Sequence, residues 1–150
     1  LESMLKSNRA GAECLFRHGA TACTDVTGFG LLGHLVEMTK PSGVDVELDL
    51  NAIPMMDGAL DTVKAGIVSS LQPQNVRLRR AIKDLDRVGK DPRYPLLFDP
   101  QTAGGLLASV PADRAEACVE ELKTLGYERT AIIGTIRPEG DALEPVTLVL

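Results

Sequence analysis

Residues 22 to 34 read ACTDVTGFGLLGH, and no other stretch of the chain restricts its fold as much. Thr21 to Val26 is short and partly β-branched, the pattern of a strand. Gly28, Gly30 and Gly33 follow at once, where the backbone can turn tightly or let another segment approach. Leu31, Leu32, Leu35, Val36 and Met38 then recur at helical spacing, and Pro41 is expected to end that helix. The chain must therefore pass from strand to helix through a very short loop. Residues 2 to 18 before it read as a helix closing near Gly19.

Downstream, Val44 to Leu50 alternates. Val44, Val46, Leu48 and Leu50 share one face, while Asp45, Glu47 and Asp49 share the other, as in a half-buried strand. Asp57 is expected to cap a short helix that stops at Gly66. Asn75 is expected to cap the next, whose apolar stripe is Leu78, Ala81, Ile82 and Leu85. Its outer face carries Arg77, Arg79, Arg80 and Lys83, a pattern of solvated surface. After a loop over 89–95, Leu96 to Phe98 reads as the start of a strand, and a turn from Asp99 to Gly105 separates it from Leu106 to Val110. Pro111 opens an amphipathic helix with Ala115, Cys118, Val119 and Leu122 inward and Gly126 as its stop. Ala131 to Ile136 and Val146 to Val149 read as the last strands. The irregular alternation of strands and helices predicts an α+β domain, a mixed sheet covered by helices.

Charge and cysteine usage exclude several classes. A net charge of −5 and 3% aromatic residues give no basic face and no base-stacking platform, so no nucleic-acid partner is expected. No apolar run reaches the roughly 20 residues that span a bilayer, so no membrane role is expected. Cys14, Cys23 and Cys118 form no C-x-x-C pair, which argues against zinc and against a disulfide scaffold. They read as reduced, mostly buried thiols of a cytoplasmic protein. The chain begins at Leu1, and it reads as a piece of a longer protein.

Gly28, Gly30 and Gly33 match G-x-G-x-x-G, with Asp49 closing the next strand as in a dinucleotide-binding unit. Against that, Thr24, Asp25 and Thr27 sit where such a fold buries an apolar strand, and the further regular βα units are missing. A carboxylate beside a bare pyrophosphate is repelled by roughly 4 kcal/mol per charge pair at 4 Å and an effective dielectric of about 20. A divalent cation between them reverses the sign, and Mg²⁺ binds through one or two carboxylates plus phosphate oxygens. The bland alternative for Asp25 is a turn or cap residue held by local hydrogen bonds. A second constellation, LFDPQTAGGLL from Leu97 to Leu107, sets Gln101 and Thr102 at a turn with Gly104 and Gly105 beside them. By itself it reads as an ordinary tight hairpin.

Taken together, TDVTGFGLLGH (Thr24 to His34) and DPQTAGGLL (Asp99 to Leu107) resemble the selenophosphate synthetase family. The segment IPMMDGALDTVKAGIVSSLQPQN (Ile53 to Asn75) and the opening Ser7, Asn8 and Ala12 are similar to it as well. The resemblance implies a C-terminal domain of the type found in aminoimidazole ribonucleotide synthetase, with residues 1 to 150 forming one ATP- and metal-binding half-site. It implies a reaction of ATP, selenide and water giving selenophosphate, AMP and phosphate, in a full-length homodimer. By direct match it makes Asp25 the Mg²⁺ ligand. The reactive cysteine or selenocysteine and its lysine belong to the N-terminal catalytic domain, which this chain lacks, so no catalytic residue is assigned here.

Phosphoryl transfer rests on positioning and charge neutralisation. Thr24 and Thr27 are accordingly candidates to orient the loop, and Gly28 and Gly30 to cradle a phosphate at a helix start. Gln101 and Thr102 are candidates at the domain junction. His34 is expected to pack with one nitrogen bonded to backbone, and His18 to complement a helix C-terminus. Two other readings remain: a docking module without chemistry, and another ATP-dependent enzyme of the same superfamily.

Overall fold

The computed structural model describes residues 2–150. Its strands are β1 (Ala22–Asp25), β2 (Val44–Asp49), β3 (Leu106–Ser109), β4 (Gly134–Pro138) and β5 (Val146–Val149). Its α-helices are α1 (Glu2–Leu5), α2 (Arg9–Arg17), α3 (Gly30–Ser42), α4 (Ala59–Lys64), α5 (Gln72–Asn75), α6 (Leu85–Val88) and α7 (Ala112–Thr124). This is the expected α+β arrangement, with the strands divided into two hydrogen-bonded groups. β1 pairs antiparallel with β3. β2 is central in the other group, antiparallel to β4 and parallel to β5, which makes that sheet mixed.

The core falls into two clusters, and β3 contributes to both. Leu32, Leu35 and Val36 of α3 pack with Val46 and Leu48 of β2, Val146 and Leu148 of β5, and Leu97 and Phe98. Burying one such aliphatic side chain contributes about 1.5–3 kcal/mol. A smaller cluster joins Cys14 and Leu15 of α2 to Cys118 and Leu122 of α7, against Leu106 and Ala108 of β3. Tyr127 ties this second layer together: its hydroxyl donates to Ser7 O at 2.7 Å and accepts from Gly11 N at 3.0 Å.

Several local expectations are corrected. The first helix is broken at residues 6–8 into α1 and α2. Pro41 does not end α3; it occupies the last turn, where one lost backbone bond is tolerated, and Gly43 closes the helix in the left-handed region (φ 59°). Asp57 does not cap α4, whose N-cap is Gly58, and its exposed carboxylate accepts instead from Arg129 at 3.3 Å. Val76–Ala81 is 3₁₀ rather than α, and Leu85 belongs to the separate turn α6. Tyr94–Phe98 is also 3₁₀ rather than a strand, because Phe98 is drawn into the core beneath α3. Asp45, read as outward-facing, is buried and accepts from Lys83 Nζ at 2.8 Å, so Lys83 leaves the basic surface.

Candidate functional site

β1 delivers Asp25 to the edge of a loop that leads straight into α3. The alternation of β1 turns Ala22 and Thr24 inward and leaves Cys23 and Asp25 exposed on the same face. Opposite Asp25 in the ladder stands Leu106, the first residue of β3. The pairing continues beyond the strands. Val26 N donates to Gly105 O at 2.9 Å, Gly104 N to Val26 O at 3.1 Å, and Gln101 N to Thr27 O at 3.0 Å. The two constellations, about 75 residues apart in sequence, thus form one double loop.

Two glycines make this approach possible. A Cβ on Gly104 would stand 2.1 Å from Val26 O, a collision with rigid backbone. A Cβ on Gly30, where φ is 69°, would meet Phe98 C at 2.8 Å and Leu97 O at 3.0 Å. Gly28 differs: nothing lies within 4 Å of its virtual Cβ, and it is exposed. The space beside the start of α3 is therefore open.

Two buried side chains hold the loop from beneath. Asn75 Nδ2 donates to Gly28 O at 2.8 Å and to Phe98 O at 3.0 Å. His34 Nε2 accepts from Thr27 N at 3.0 Å and lies 3.2 Å from Thr27 Oγ1. That acceptance leaves the proton of the neutral ring on Nδ1, which is 3.3 Å from Glu37 Oε2 but makes no hydrogen bond there. The expected backbone bond of His34 is present. Asn75, expected as a helix cap, makes no capping bond and clamps the loop instead.

The candidate residues therefore lie on one double loop. Asp25 is exposed and, among the described residues, has no ion-pair partner. Thr24 is half-buried, with Oγ1 donating to Asp25 O at 3.2 Å, and Thr27 is half-buried against His34. Gln101 is half-buried; its amide donates to Asp99 O and to Asp99 Oδ2, both at 3.2 Å. Burial pushes the Asp99 carboxyl up, and the Gln101 bond pulls it part of the way back. Thr102 is exposed at the tip.

The family model described as AIR synthase related protein, C-terminal domain, matches residues 1–143. The chain belongs to this family. Curated relatives of this AIR synthase related domain include the selenide, water dikinase of Clostridioides difficile (strain 630), 36% identical over 143 residues, which cover 94% of this chain and 40% of that protein. The selenide, water dikinase of Porphyromonas gingivalis (strain ATCC 33277) is 38% identical over 137 residues, covering 90% and 38%. That of Trichlorobacter lovleyi is 45% identical over 106 residues, covering 69% and 30%. The domain thus spans 40% or less of the length of these relatives.

A second group of reactive side chains lies away from the double loop of the AIR synthase related domain. Cys14 and His18 of the α2 end meet Cys118 of α7, and one ligand-type atom from each lies within 4.8 Å of the others. Burial pushes the Cys14 thiol up to about 11, with the neighbouring Cys118 adding to it. His18 Nε2 is 2.7 Å from Glu121 Oε2, and Arg17 pairs with the same carboxylate. The sequence reading missed this cluster. Cys14 and His18 are four apart, hence on one helix face, which was a usable signal; Cys118 comes from a helix about a hundred residues away. Cys23, expected among the buried thiols, is exposed. No described helix is long and apolar enough to cross a membrane.

Proposed function

We propose that this domain supplies one half of a magnesium–ATP site in a selenide, water dikinase, the activity named for its curated relatives. The observation that supports it is the double loop itself: Asp25 stands exposed on its rim, next to the open space over Gly28 and the start of α3. A carboxylate alone at that point would repel a phosphate. The residues fit a hard cation, since they offer an exposed carboxylate with no ion-pair partner among the described residues. When bound, Mg²⁺ supplies neutralisation of the phosphate charge.

The chain's own residues have positioning tasks. Asp25 would hold the cation, and Gly28 leaves room for a phosphate beside the start of α3. Gly30 lets the loop rest on Phe98, while Asn75 and His34 fix its height and tilt. Thr24 and Thr27 orient the backbone around the carboxylate. Gln101 and Thr102, on the partner loop, face the junction with the rest of the enzyme. The complete cytoplasmic homodimer converts selenide, ATP and water to selenophosphate, AMP and phosphate, with its nucleophile outside this chain.

The test is AMP formation. This chain alone, given Mg²⁺, ATP and selenide, forms none above background, whereas the complete enzyme does. AMP produced by the isolated chain contradicts the half-site reading. A docking module without chemistry is the second reading, favoured by Phe29, which is 54% exposed beside the loop. Full activity of the complete enzyme carrying Asp25→Ala would support that reading instead.

A further inference from the structure

Cys14, His18 and Cys118 converge from two helices that no short motif connects. Cys14 is fully buried and Cys118 is 2% exposed, with their sulfurs within 4.8 Å of each other. His18 borders them as the C-cap of α2, partly open to solvent. Glu121, one turn beyond Cys118 on α7, grips the imidazole through Nε2 at 2.7 Å. Nδ1 is therefore the ring nitrogen left to serve as a ligand, and the Glu121 bond sets its tautomer and orientation.

We propose that Cys14, Cys118 and His18 bind a thiophilic divalent cation of the zinc type, which clamps α2 to α7. Two sulfurs and one imidazole are a soft donor set, suited to zinc and ill-suited to magnesium. Tetrahedral coordination with Zn–S near 2.3 Å and Zn–N near 2.0 Å puts the donors about 3.5–3.8 Å apart. One ligand-type atom of each residue already lies within 4.8 Å of the others, so side-chain movements that turn Nδ1 toward the two sulfurs close the site. Two thiolates balance the charge of the cation, which suits a site walled by Leu15, Leu122 and Leu106. This site is independent of the proposed magnesium position at Asp25: it uses different elements and opposite ligand chemistry.

Cobalt(II) is the probe, titrated into the reduced chain carrying Cys23→Ser so that the exposed thiol does not contribute. One equivalent should bind, with thiolate-to-metal charge-transfer absorption in the near ultraviolet and the visible ligand-field bands of a tetrahedral ion. Zinc should displace it and excess magnesium should not. A hundredfold excess of free zinc over Kd should raise Tm by about 5–10 °C. Cys118→Ala should abolish the charge-transfer band. His18→Gln, at a partly exposed position that leaves the core intact, should weaken cobalt binding by at least about tenfold. The proposal is overturned if the folded, reduced protein shows no charge-transfer band. It is equally overturned if the band survives Cys118→Ala, if His18→Gln binds as tightly as the parent, or if the protein purified with zinc carries a Cys14–Cys118 disulfide.

Discussion

Replacing Asn75 with alanine and with serine separates a loop clamp from a helix cap at that position. It is 6% exposed, and its amide nitrogen donates to Gly28 O and Phe98 O at 2.8 and 3.0 Å. Each neutral bond contributes about 0.5–1.5 kcal/mol net, and its loss strands a carbonyl in or near the core. Asn75→Ala should therefore destabilise by about 1–3 kcal/mol. In a chain of 150 residues, ~2 kcal/mol lowers Tm by about 4–8 °C. Gln72 is an internal standard: it is equally buried and makes one such bond, to Pro95 O at 2.7 Å, so Gln72→Ala should lose about half as much. Urea unfolding followed by circular dichroism, with m unchanged, measures both. Asn75→Ser decides between the accounts. Serine caps helices as well as asparagine does, but its single hydroxyl proton cannot reach two carbonyls at once. Rescue of Asn75 by serine, or a loss below ~0.5 kcal/mol for Asn75→Ala, refutes the clamp.

Two further outcomes follow from the same geometry. Gly30→Ala places a Cβ 2.8 Å from Phe98 C at a left-handed φ and should destabilise by at least ~1–2 kcal/mol, whereas Gly28→Ala meets nothing and should stay within ~0.5 kcal/mol while weakening nucleotide binding by the complete enzyme; equal thermal shifts would refute the distinction. Arg93 holds the Asp91 carboxyl below its ordinary range through a two-point contact at 2.9 and 2.7 Å. A lowered carboxyl contributes stability that is complete above its unfolded value and disappears as pH falls through the folded one. Asp91→Asn should therefore destabilise at pH 7 and flatten the acid limb of stability against pH; an unchanged limb would contradict this.

Patterns with a fixed period were legible in the sequence. The alternation of Val44, Val46, Leu48 and Leu50 located β2, and the spacing of Ala115, Cys118 and Leu122 located α7 and its inner face. The strand–loop–helix passage through Asp25 and Gly30 followed from glycine and β-branched residues. The register that lays Gly104 on Val26 did not, because it depends on which distant backbone a missing Cβ admits. Asn75 and Asp57 show the limit of capping rules. A short polar side chain pairs with whichever group the tertiary fold brings nearest, and here those are the Gly28 carbonyl and the Arg129 guanidinium. Leu96 to Phe98 has strand composition, yet the need to bury Phe98 under α3 winds it into a 3₁₀ turn. Cys118 joined Cys14 for the same reason: helix-to-helix contact has no local signature.

The proposed contact between the Asp25 carboxylate and a magnesium–nucleotide complex is tested by calorimetric titration of the complete enzyme with a non-hydrolysable ATP analogue over a range of Mg²⁺ concentrations, for the parent and for Asp25→Asn. The account predicts that the variant folds normally but needs at least about tenfold more Mg²⁺ for half-maximal nucleotide binding, a loss of ~1.4 kcal/mol. Identical Mg²⁺ dependence in parent and variant would contradict it.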